Sequence, residues 1–177
     1  MMSPEKITVR NALTSEFATV GQLMFDVYAQ LDGFPKPDEL PGYFRLLKNV
    51  GDLTTKPGVE LWVAVSPDDI IKGAVVYFSD MQYYGSGGVA SLEKNAAGFR
   101  LLAVHPDARG SGIGKQLTLS CIARAREQGL AQVIIHSTKA MQTAWNMYES
   151  IGFQRSAELD FMQGELHVYG FRLKIVP

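Results

Sequence analysis

Seven consecutive residues, Arg109-Gly110-Ser111-Gly112-Ile113-Gly114-Lys115, combine three alternating glycines with a basic side chain at each end. The runs on either side differ in period. Upstream, Gly98 to Val104 reads as a strand, ended by His105-Pro106 because proline cannot continue a sheet ladder. Downstream, Ile113, Leu117, Cys121 and Ala125 recur every four residues as a helical stripe. Strand, glycine-rich turn and helix in that order aim several unpartnered backbone N–H groups at one point, where the helix dipole adds partial positive charge. A phosphate or pyrophosphate is the group such a turn holds. Two motifs of that kind fail on spacing. A P-loop needs Ser or Thr after its Gly-Lys, and here Gln116 follows Gly114-Lys115. A dinucleotide fold needs G-x-G-x-x-G and an acidic residue on the next strand, yet the strand Gln132 to His136 ends without Asp or Glu. That disfavours an NAD(P)-binding protein.

A third pattern, Arg/Gln-x-x-Gly-x-Gly/Ala, is met at every position from Arg109 to Gly114. With Leu102-Ala103-Val104-His105-Pro106 before it and Gly114-Lys115-Gln116-Leu117 after it, this stretch resembles the GNAT superfamily of N-acetyltransferases. A second segment, Ala144-Trp145-Asn146-Met147-Tyr148-Glu149-Ser150-Ile151-Gly152-Phe153, looks like that family's A-x-x-(apolar)-Y-E-x-x-G-F helix-to-strand element. The core resemblance runs from about Gly98 to Arg155. It implies that backbone amides from Arg109 through Gly110, Ser111, Gly112, Ile113 and Gly114 to Lys115 hold the pyrophosphate of acetyl-coenzyme A. It implies that Leu102, Ala103 and Val104 pair with the pantetheine arm as another strand would, which is catalysis by placement. Tyr148 matches the tyrosine that acts as general acid toward the sulfur, a phenol protonated at neutral pH. Many members carry Asn seven residues before it; this chain has Met141, which offers apolar contact to the cofactor instead.

The base is open among Glu93, His136 and water. Members often place Glu on the strand before the loop, but the matching positions are Gly98 and Arg100, neither of which serves. Glu93 reaches the site if Ala90 to Ala97 folds back; His136 has a suitable ordinary pKa but sits in an apolar strand, where a structural role competes. The expected reaction is acetyl transfer from acetyl-CoA to a primary amine of a small molecule or peptide by direct attack in a ternary complex. The competing reading is a non-catalytic acyl-CoA-binding module of the same fold.

The elements that position these residues follow from pattern. Ile7 to Leu13 reads as a strand, then Thr14 or Ser15 caps a helix whose stripe is Phe17, Val20, Met24 and Val27. Asp32 to Pro37 breaks it, and a shorter helix follows over Pro41 to Asn49. Leu61 to Ser66 and Ile70 to Ser79 flank a Pro67-Asp68-Asp69 turn. Tyr83 to Gly88 is too glycine-rich to be regular; its tyrosines, with Phe25, Tyr28, Phe34, Tyr43 and Phe44, are available to an acceptor pocket. Met141, Trp145 and Tyr148 share a face at helical spacing. Phe153 to Leu159 and Glu165 to Ile175 read as strands around Gln163-Gly164. The result is one α/β (α+β) domain over 1–177, a GNAT fold whose mixed, mostly antiparallel sheet of about six to seven strands has helices on both faces.

Composition sets the remaining bounds. With 177 residues and 46% hydrophobic content, the chain has enough for one proper core. A net charge of −1 argues against a nucleic-acid surface. The single cysteine, Cys121, forms no intrachain disulfide and suits a reducing, cytoplasmic setting. Neither a membrane span nor a secretion signal is legible. No ligand set suggests a metal. Members of the family often dimerise, and edge strands near the C-terminus offer a homodimer contact.

Overall fold

The computed structural model describes residues 6–175; the first five residues, part of the stretch read for a secretion signal, lie outside the described residues. β1 (Thr8–Asn11), β2 (Val59–Val65), β3 (Ile71–Phe78) and β4 (Ala96–Val104) are successive antiparallel neighbours. β5 (Gln132–Ser137) joins β4 in parallel, β8 (Leu166–Lys174) runs antiparallel to β5, and the two residues of β6 (Gln154–Arg155) close the edge. β7 (Phe161–Gln163) pairs with β8 as a hairpin. The sheet therefore has eight strands where the sequence predicts about six to seven.

Each face is covered by the helices its apolar residues require. α1 (Phe17–Ala29) and α2 (Pro41–Lys48) cover one core with Val20, Met24, Phe44 and Leu47. α3 (Ile113–Glu127) and α4 (Gln142–Ile151) cover the other, and the predicted α3 stripe of Ile113, Leu117, Cys121 and Ala125 is wholly buried there. α1 and α2 cross backbone to backbone at Gly21, where a Cβ would lie 2.1 Å from the Lys48 carbonyl oxygen. Among the described residues no helix is long and apolar enough to cross a membrane.

One irregularity in β4 decides how the site is built. Ala97 and Phe99 face the α3–α4 core, so strict alternation would send Leu101 and Ala103 there too. Instead Leu101 and Ala103 lie in the α1–α2 core, while Leu102 and Val104 pack on the α3–α4 side. The register against β3 slips at this point, and Leu101 adopts φ +62. An extra residue here reverses the strand's parity, as a β-bulge does.

Four local expectations are corrected. Neither Thr14 nor Ser15 caps α1: Thr14–Glu16 is a 3₁₀ turn, and the Glu16 carboxylate accepts the Leu13 N–H at 2.8 Å. The predicted strand Phe153 to Leu159 stops after β6, because Ala157–Leu159 turns as 3₁₀ to seat Leu159 in the core beside Gly170. Ala90 to Ala97 does not fold back: Ala96 and Ala97 start β4, and Glu93 accepts from Arg172 at 2.6 Å. Met141 does not share a face with Trp145 and Tyr148, since it precedes α4 and packs against the opposite core.

Candidate functional site

β4 and β5 pair only from Ala96–Gly98 to Gln132–Ile134. Beyond Gly98 the two strands part, leaving the β5-facing edge of Phe99–Val104 without a strand neighbour among the described residues. α3 begins at the end of this open edge. A Cβ at Gly114 would sit 3.6 Å from Val104 Cγ2 and 3.9 Å from both Leu102 Cδ2 and Met147 Cε, so β4, α3 and α4 converge there. Ala103 is buried beneath, and the Tyr28 hydroxyl donates to the Leu102 carbonyl at 3.0 Å from the other side.

The glycine-rich turn has the predicted form. Pro106–Ala108 makes one 3₁₀ turn, fixed by the Asp107 N–H donating to His105 Nδ1 at 3.1 Å and by the Ser111 hydroxyl donating to the Ala108 carbonyl. Gly110 (φ +79) and Gly112 (φ +85) take left-handed backbone, which glycine adopts without strain. Gly112 caps α3, and the first amide after Arg109 with an internal partner is Gln116, on the Gly112 carbonyl at 2.9 Å. The amides of Gly110 to Lys115 thus have no acceptor among the described residues, and a Cβ built at Gly110 or Gly112 would meet nothing within 4 Å beyond its own chain neighbours. Arg109 and Lys115 are exposed and form no ion pair among the described residues.

Tyr148 is buried on α4, edge-on to Phe99 and Phe153 with ring centroids 5.9 and 5.8 Å away. The helix ends one turn later. Gly152 (φ +121) and Phe153 both donate their N–H groups to the Tyr148 carbonyl, at 3.2 and 3.1 Å, which fixes this residue's place. Its hydroxyl makes no hydrogen bond among the described residues. Burial, with smaller contributions from Tyr84 and Cys121, pushes the phenol above its ordinary pKa, so it stays protonated.

On the α1–α2 side of β4 lies a small cavity of about 70 Å³. Tyr28, Tyr43 and Tyr84 line it with Arg100, Leu101, His136, Ser137, Thr138 and Met141. Met141 therefore contacts this cavity. Both nitrogens of His136 are engaged: Nε2 donates to the Leu159 carbonyl at 2.8 Å, so Nδ1 accepts from the Tyr84 hydroxyl at 2.9 Å. Burial lowers its pKa and keeps the ring neutral. The unfolded chain then takes up this proton first. Stability contributed by neutral His136 is complete above about pH 6.5 and is lost as the pH falls below it. A melting series from pH 7 to 5 is expected to fall less steeply for His136→Gln than for the wild type.

Sequence reasoning missed Arg100, Ser137 and Thr138 as cavity residues. A charged residue inside the apolar run Phe99-Arg100-Leu101-Leu102 was the available signal for the first, and alternation from Phe99 already sends it to the α1–α2 side. Of the aromatics named from sequence, Tyr28, Phe34, Tyr43 and Tyr84 line this cavity, whereas Tyr83 packs against the α1–α2 core and Phe25 and Phe44 pack edge to face within it.

An acetyltransferase (GNAT) domain model matches residues 57–155, more than half the chain. A mycothiol acetyltransferase of Thermobispora bispora is 42% identical over 55 residues, which are 31% of this chain and 19% of that protein. The match thus spans about a fifth of that relative's length. A GNAT-family acetyltransferase of Staphylococcus aureus Mu50 superposes with a TM-score of 0.72 at 16% identity, over 96% of this chain and 99% of the other. The yncA protein of Salmonella typhimurium, solved with its cofactor acetyl-CoA, superposes at 0.67 with 15% identity, over 97% and 95%. These two likenesses are of fold.

Proposed function

Because the chain belongs to the acetyltransferase (GNAT) family, we propose that it works as one domain transferring the acetyl group of acetyl-coenzyme A to a primary amine of a small molecule or peptide. The observation that carries this reading is the run of free amides from Gly110 to Lys115 at the end of an open strand edge. Those amides, with Arg109 and Lys115 as nearby cations, hold the pyrophosphate; the edge of Leu102, Ala103 and Val104 holds the pantetheine arm. Acetyl-CoA supplies the activated acyl group. Met141 bounds the acceptor side of the site.

Tyr148 protonates the departing sulfur as the nitrogen–carbon bond forms and the carbon–sulfur bond breaks, and the proton lost by the amine restores the phenol through solvent. A thiolate developing in the same dry cleft is raised in pKa by the same desolvation as the phenol, so the transfer joins groups shifted alike. Water accepts the amine's proton: Glu93 is held by Arg172 and both nitrogens of His136 are occupied.

Calorimetry with acetyl-CoA, followed by thiol release across an amine panel, tests the reading. Heat on binding and coenzyme A released with at least one amine are expected. Binding without release from any amine reduces the protein to an acyl-CoA-binding module, and no binding removes the reading altogether. The turn has its own test. Gly112→Ala places a Cβ on left-handed backbone at about 1–2 kcal/mol, and re-aiming the amides is expected to weaken acetyl-CoA about tenfold. Gly114→Ala meets only ordinary contacts, the nearest at 3.6 Å, and is expected to bind within about twofold of wild type in the same titration.

A further inference from the structure

The cavity beside the bulge carries one formal charge and no counter-charge. Arg100 is the only charged side chain lining it and is in no ion pair among the described residues. Its Nη1 donates to the Tyr84 carbonyl at 2.9 Å, and the guanidinium lies 5.7 Å from the Tyr84 ring centroid. The rest of the fork has no acceptor among the described residues. A partly buried guanidinium without an anion is costly, and its planar donors match a carboxylate two at a time.

Two further polar groups are unanswered at the same place. The hydroxyls of Ser137 and Thr138, at the end of β5, have no hydrogen-bond partner among the described residues, although they are only 2% and 3% exposed. Buried hydroxyls are nearly always satisfied, so an orphaned pair lining a cavity marks the place of a polar ligand group. The remaining walls are mostly apolar or aromatic, with Ser86, Gln163 and the neutral His136 as the other polar groups, none of them charged, and the volume is small.

We infer that this cavity receives a small amine that also bears a carboxylate, an amino acid with an uncharged side chain, with Arg100 pairing the carboxylate and Ser137 and Thr138 bonding its polar atoms. The inference rests on the acetyltransferase reading for what happens to the amine, not for what binds. Arg100 also assists the chemistry expected there. A positive charge near an ammonium group favours its neutral, nucleophilic form. The same charge repels a diamine, whose second ammonium would enter a cavity lined by no acid.

The full chain is tested with L-amino acids having uncharged side chains, the carboxamide of each, and putrescine. Wild type is expected to show a kcat/KM at least tenfold higher for an acid than for its own amide, and no turnover of putrescine. Arg100→Gln is expected to bring that ratio close to one, while Arg100→Lys, keeping charge but not the fork, retains a severalfold preference. A purely structural role for Arg100 would slow acid and amide alike and leave their ratio unchanged; that result overturns the assignment, as does a wild-type ratio near one. Should Arg100→Gln fail to fold for want of its bond to Tyr84, the wild-type ratio and Arg100→Lys still decide. Calorimetric titration of acids and amides, with and without acetyl-CoA, separates the two readings. No heat from any acid while acetyl-CoA binds defeats this inference alone. An acid preference without acetyl-CoA binding upholds it and defeats the transferase.

Discussion

Tyr148→Phe is expected to lower kcat about 100-fold or more, the range of a lost general acid, while the Kd for acetyl-CoA stays within about twofold. On the barrier this is about 2.7 kcal/mol. The substitution is clean for structural reasons. The ring keeps its edge contacts with Phe99 and Phe153, and the hydroxyl it removes leaves no internal partner unsatisfied among the described residues. The melting temperature therefore serves as a control that does not move. Burial holds the phenol above its ordinary pKa, so wild-type activity should show no loss from this group's ionisation up to about pH 10. Turnover of Tyr148→Phe at the wild-type rate would remove the residue from the chemistry.

A second large effect is expected far from the chemistry. Gly21→Ala adds one methyl at the α1–α2 crossing, where its carbon would lie 2.1 Å from the Lys48 carbonyl oxygen and 3.2 Å from that of Leu47. Both obstacles are backbone, so no rotamer change relieves them, and one helix must move. Overpacking of this kind costs about 3 kcal/mol, which for a chain this long lowers the melting temperature by about 6–12 °C. Thermal unfolding of the variant checks it. The same movement disturbs Tyr28, which α1 carries to the Leu102 carbonyl, so weaker acetyl-CoA binding should accompany the loss of stability.

Much of this architecture is legible before any coordinates. The α3 stripe is visible because four residues at helical spacing share one buried face, and the turn before it because left-handed backbone at Gly110 and Gly112 demands glycine. Gly152 marks the end of α4 for the same reason. What stays hidden depends on contacts distant in sequence. Glu93 looks available until Arg172, 79 residues later, arrives beside it. Phe153 to Leu159 has the apolar content of a strand, yet the close approach of Leu159 to Gly170 turns it away from the sheet. Met141 looks like the start of a helical face because spacing says nothing about where α4 begins. The cavity beside the bulge is least legible of all, since no run of residues encodes it: α1, α2, β4, β5, β7 and β8 each contribute one or two side chains.

The supernumerary residue in β4 has a consequence for how such a chain can change over evolutionary time. Deleting Leu101 alone would remove the extra residue, restore strict alternation and leave Leu102 and Val104 on the α3–α4 side, whereas a one-residue change of length in the regular stretch before Arg100 would exchange inward and outward identities on one side of it. Substitutions can be sampled singly all along the strand, but its length can change only where the extra residue stands.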